Sequence, residues 1–180
     1  MMAGQWLRRH GSMNSSAVLA LLAVHWAWSG IIYQWFFFRT INPAAGLFSA
    51  AFVVQALCFV GLAVSRRVGF TTGRSLRSIL GCGLVIYGLI YPALGFGFGL
   101  DYPRLPLFAV PCPTTLLTAG LLPIASGAPR FTNVVPILWA AVGSSAAPLL
   151  ELRADLGLIP AGVLLAIDTA APRVLGPRAI

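Results

Sequence analysis

The chain has 180 residues, of which 58% are hydrophobic and only 9% charged, against roughly 25% charged in a soluble domain. So apolar a chain cannot cover a folded surface with polar groups in water, whereas a bilayer requires an apolar exterior and a backbone that satisfies itself. The net charge of +8 does not point to nucleic acid, because all twelve basic residues are arginines lying mainly between hydrophobic runs, with no basic stripe interleaved with aromatics.

Residues 1–16 hold Arg8, Arg9 and His10 and resemble the positive end of a signal peptide. The apolar run that follows continues through Phe38 without an A-x-A-like cleavage site, so it reads as an uncleaved first span, 17–38, behind a short N-terminal segment. Trp35-Phe36-Phe37-Phe38 and Arg39 end it as interfacial residues do. Asn42 and Pro43 then read as N-cap and first residue of a second span, 44–64. A link with four arginines (Arg66, Arg67, Arg74 and Arg77) leads into a glycine-rich third span, 76–97. Further spans are expected at 107–124, opening on Pro111-Cys112-Pro113-Thr114-Thr115, at 134–150 and at 156–171. The sixth is the shortest: sixteen residues make only ~24 Å of helix against ~30 Å of hydrocarbon. Residues 172–180 form a tail. The fold class is therefore all-α, one polytopic transmembrane helix bundle of about six spans over residues 17–171.

With six spans, nine arginines (8, 9, 66, 67, 74, 77, 130, 173, 178) fall on one side and three (39, 104, 153) on the other. The positive-inside rule then places both termini in the cytoplasm. Cys58, Cys82 and Cys112 form no C-x-x-C pair and no even disulfide set. No metal-ligand spacing, paired intramembrane carboxylates or phosphate loop is present, so neither metal nor cofactor is expected.

Two groups of residues point to binding. The outer links gather Arg39 and Asn42, then Asp101, Tyr102 and Arg104, then Cys112, Thr114 and Thr115, and finally Glu151, Arg153 and Asp155. Mixed charge at one end of a bundle suits a small polar or zwitterionic solute, and a helix N-terminus there suits an anion. His25 is the ionisable residue well inside a span, and Ser29 and Tyr33 follow it at i+4 and i+8, a polar stripe along which a proton or solute could pass. A Cys112–His25 dyad is disfavoured, because their depths differ by roughly 10 Å or more in ~30 Å of hydrocarbon.

Trp26-Ala27-Trp28-Ser29-Gly30, Ile41-Asn42-Pro43-Ala44-Ala45, Tyr91-Pro92, Tyr102-Pro103, Pro111-Cys112-Pro113-Thr114-Thr115 and Pro136-Ile137-Leu138-Trp139 together resemble an uncharacterised bacterial family of polytopic membrane proteins, a domain of unknown function with some members loosely labelled permeases. The resemblance runs from about Ala23 to Leu158. Family members tend to carry a further hydrophobic segment before the first run, and often a histidine near the position of Gln34 and another near Leu100; this chain has only Met1–Ser16 and neither histidine there. The resemblance implies no established activity.

The expected function is a small-solute transporter or permease-like component of a bacterial inner membrane, with an outward polar site. It is expected as a homo-oligomer or beside a membrane partner subunit. The alternative is a non-catalytic scaffold or assembly subunit; an enzyme is the least favoured reading.

Overall fold

The computed structural model describes residues 2–100, 109–149 and 151–170. Six α-helices carry the fold: α1 (Met2–Trp28), α2 (Ala45–Ser65), α3 (Leu76–Gly97), α4 (Pro111–Leu121), α5 (Val134–Ala146) and α6 (Leu158–Ala170). α1 runs without a break into a π-helical segment, Ser29–Phe37, and short 3-10 turns, Arg130–Asn133 and Arg153–Gly157, lead into α5 and α6. Three helical stretches are long and apolar enough to cross a membrane: Asn14–Thr40, Ala45–Ser65 and Leu76–Gly97. α4, α5 and α6 have 11, 13 and 13 residues and fall short. Length and composition thus support three spans among the described residues, where six were expected.

The exterior is apolar and the interior is where polar groups collect, the reverse of a water-soluble protein. Leu57, Val64, Ile79, Ile86, Leu138 and Ile159 are exposed, while Gln34, Gln55, Thr114, Thr115, Thr118 and Asn133 are buried. α4 is the axis of the bundle: from Pro113 to Gly120 every residue is buried. α3 approaches it closely because both helices present glycine. A Cβ on Gly81 would stand 2.6 Å from the Gly120 carbonyl oxygen, and one on Gly120 would stand 2.5 Å from that of Gly81. Gly83, which the sequence suggests as another packing position, faces open space.

Aromatic rings join α1, α2 and α5. Phe52 meets Trp26 edge-on at 4.7 Å and Trp139 at 5.0 Å, and Phe48 meets Trp139 at 5.3 Å, the T-shaped geometry that ring quadrupoles favour. One end of the bundle is tied by a two-residue antiparallel ladder, β1 (Gly69–Phe70) with β2 (Ala125–Ser126), a feature the sequence reading lacked. Beside it Arg77 reaches Asp168 at 3.5 Å, and the Asn133 amide donates to Asp168 Oδ2 at 3.0 Å and Thr169 Oγ1 at 2.9 Å. The Gln55 amide donates to the Thr132 carbonyl at 3.0 Å in the same region.

Candidate functional site

The opposite end holds a buried polar pocket assembled from α3, α4, α5, the π-helical segment and the turn before α6. Its anchor is Asp155. The 3-10 turn Arg153–Gly157 points this carboxylate inward, leaving it 3% exposed while Glu151 and Arg153 stay at the surface. Two tyrosines one helical turn apart on α3 receive the turn. Tyr87 donates its hydroxyl to the Ala154 carbonyl at 2.8 Å, and Tyr91 donates to Asp155 Oδ1. Gly157 permits this contact, since a Cβ there would stand 2.5 Å from the Tyr87 ring.

Cys112, in the first turn of α4, brings its thiol to Asp155 and Tyr91. Trp139 Nε1 lies beside the same sulfur across Gly143, whose Cβ would be 3.6 Å from that nitrogen and 3.7 Å from Cys112 Sγ. Thr115 shares the Cys112 face of α4 at i+3. Burial raises the pKa of Asp155 above the ordinary carboxylate range, and the hydrogen bonds from Tyr91 and Cys112 pull it back only in part.

The π-helical segment supplies the remaining wall. Such segments are rare and frequently mark functional sites. Gly30 lets it sit against α2, a Cβ there meeting Phe52 Cβ at 2.9 Å and the Ser49 carbonyl at 3.1 Å. Ser29 donates to the Ala109 carbonyl at 2.8 Å and stands 3.4 Å from Thr114 Oγ1, which fastens the segment to the start of α4. Gln34 follows Ser29 by five residues, one i→i+5 step, and so lies near the same face and level with the start of antiparallel α2. There Phe48 packs on Trp139. Tyr33 stacks on Phe38 at 5.8 Å and lies close enough to Cys112 and Asp155 to feel their charge.

Several of these groups have nothing to bond. Both amide atoms of Gln34, the Thr115 hydroxyl and Trp139 Nε1 are buried without a hydrogen-bond partner. Each such group costs about 1–3 kcal/mol in a protein interior. Together they leave donors (Gln34 Nε2, Trp139 Nε1, Thr115) and acceptors (Gln34 Oε1, Thr115) free around one space.

The sequence-predicted residues divide accordingly. Ser29, Tyr33, Cys112, Thr114 and Thr115 meet at this pocket. Arg39 does not: it is exposed, its guanidinium 4.0 Å over the Trp35 ring. Asn42 accepts the Ala44 N–H at 3.0 Å and so shapes the turn into α2. His25 is half-buried, its Nδ1 2.8 Å from the Leu21 carbonyl of its own helix, and no hydrogen bond carries the stripe on to Ser29. Asp101, Tyr102 and Arg104 lie outside the described residues. Sequence reasoning missed Gln34, Tyr91 and Trp139 as site residues. Gln34 carried a signal, an amide among aromatics inside an apolar run.

Among the described residues no group of His, Cys, Asp and Glu is arranged to hold a metal ion. Residues 4–175 match a family described as a family of unknown function, DUF6064. No curated protein and no solved structure matches the chain.

Proposed function

The chain belongs to the DUF6064 family, which brings no activity with it, and we propose from the geometry that it is an integral membrane, permease-like component that takes a small polar solute into the pocket beside Asp155. The observation that carries this is the set of unpartnered polar atoms on Gln34, Thr115 and Trp139. In lipid they have no water to fall back on, and a solute carrying both donors and acceptors would satisfy them.

The long helices cross the bilayer in this reading. α5 and α6 join them, because their leading 3-10 turns add ~2.0 Å per residue to ~1.5 Å per helical residue. Arg130–Ala146 and Arg153–Ala170 then reach about 28 and 30 Å, the thickness of the hydrocarbon core. α4 forms the sixth, fully enclosed element. The arginine asymmetry puts both termini and the Arg77–Asp168 end in the cytoplasm, and the Asp155 pocket toward the outer face. A recess of about 790 Å³ at that end, lined by Phe98, Leu100, Pro148, Leu152 and Leu156 among others, supplies a way in.

Proteoliposomes holding the purified protein test the reading by light scattering after mixing with urea, acetamide, glycerol, methylammonium or formate. Faster entry of one solute class, lost in Gln34→Leu and Thr115→Val, is expected; entry no faster than through empty vesicles for every solute would end the transport reading.

One observation favours the alternative, an assembly subunit. A groove of about 470 Å³ between α1 and α2 is lined by Ala20, Ala23, Ala27, Ala56 and Ala63, with hardly any polar surface. A helix of another subunit, or of a second copy, packs well on such small residues in a bilayer. Stable co-purification of a single membrane partner, with no solute effect, would select it.

A further inference from the structure

The pocket contains a carboxyl group with no counter-charge. Arg77 is within ion-pair distance of Asp168, at the cytoplasmic end, and no arginine or histidine among the described residues pairs with Asp155. The ionisable groups that face Asp155 are all ones that are neutral near pH 7: Tyr87 and Tyr91 from α3, Cys112 from α4 and Tyr33 from the π-helical segment. Glu151 and Arg153, its neighbours in the chain, point to the surface. A buried carboxylate without a cation is expensive in a low dielectric and resolves that expense by taking a proton or meeting a cation.

We propose that Asp155 is the coupling site of the pocket: it takes up one proton from the outer side when solute binds and releases it to the cytoplasm with the solute, so that solute entry is driven by a proton gradient. This rests on the transport reading above and adds the driving ion to it. The charge balance is simple. Tyr91 occupies Oδ1, which leaves Oδ2 to hold the proton. The carboxylate becomes a neutral acid whose new O–H faces the same space as the free amide of Gln34 and the hydroxyl of Thr115. A neutral solute would then be bound by a neutral site, with no ion left buried during the crossing. The raised pKa of Asp155 agrees with this role.

The test uses the same proteoliposomes with the pH dye pyranine trapped inside and urea, acetamide or glycerol as the added probe. In the unmodified protein, solute entry is expected to acidify the lumen. Asp155→Asn, which keeps the Tyr91 hydrogen bond, is expected to lose the acidification while still equilibrating solute by light scattering, and Asp155→Glu to restore part of the acidification. Solute entry without acidification in the unmodified protein would overturn the coupling and leave transport standing. Loss of both signals in Asp155→Asn, in a variant that stays monodisperse with an unchanged Tm, would make Asp155 a solute ligand instead and also overturn it. No solute entry at all would remove the transport reading and the coupling with it.

Discussion

Tyr91 on α3 donates its hydroxyl to Asp155 in the turn before α6, joining two elements 64 residues apart and holding a carboxylate that is 3% exposed inside the bundle. Tyr91→Phe removes the donor and keeps the ring. The buried oxygen left behind is expected to cost about 1–3 kcal/mol, read as a lower Tm in detergent. In an Asp155→Asn background the same change is expected to cost less, since no charge is left to stabilise. Equal costs in both backgrounds would show that the two side chains are not coupled.

The shifted acidity of Asp155 has a sign. Its folded pKa lies above its unfolded value, so between the two the folded state holds the extra proton. That contribution is fully present below the ordinary carboxylate range and is lost as pH rises through the raised value. Tm is therefore expected to fall with rising pH across that window, and to fall less in Asp155→Asn. Parallel profiles for the two proteins would contradict the shift.

The α3–α4 crossing tolerates no side chain. Gly120→Ala would place a methyl 2.5 Å from the Gly81 carbonyl oxygen and 2.8 Å from Val85 N, and an overpacked contact of this kind costs about 1–3 kcal/mol or more. Gly83→Ala meets nothing within 4 Å and gains helix propensity, up to about 1 kcal/mol. Thermal melts of the two variants should move in opposite directions.

At the cytoplasmic end, Asn133→Ala takes a donor from the buried Asp168 oxygen and should cost about 1–3 kcal/mol. Arg77 is 38% exposed and its contact with Asp168 is 3.5 Å, so solvent screening limits Arg77→Gln to about 1 kcal/mol or less. Urea or thermal unfolding in detergent ranks the two, and the reverse order would mean that the ion pair, not the amide, holds Asp168.

Topology is open to a thiol test in intact cells. In a background with Cys58, Cys82 and Cys112 changed to Ala, Glu151→Cys should react quickly with a membrane-impermeant reagent and Arg67→Cys only after permeabilisation. Cys112 kept as the single thiol should react slowly, being wedged against Asp155 and Trp139. Labelling of Arg67→Cys from outside would invert the proposed orientation.

What composition and run length determined was the environment: an apolar exterior, helices in place of sheet, and the approximate positions of α2 and α3. Those follow from local rules, since backbone hydrogen bonds in lipid must close within a segment and a helix needs its own length of apolar residues. The glycines of α3 and α4 were legible as packing positions, although only the packed helices separate Gly81 and Gly120 from Gly83. The count of spans was not legible, because hydropathy does not distinguish a continuous α-helix from a shorter one led by a 3-10 turn.

The site was legible in part for the same kind of reason. Cys112, Thr114 and Thr115 stand in one turn, so their proximity is a fact of sequence. Asp155 looked like the surface partner of Glu151 and Arg153, and only the fold decided otherwise, by turning a 3-10 helix against Tyr87 and Tyr91. Gln34 depends on the π-helical register for its direction, and Trp139 on Gly143 for its nearness to Cys112. Sequence sets which polar groups enter an apolar bundle; which of them meet is decided by helix crossings whose closeness a few glycines allow.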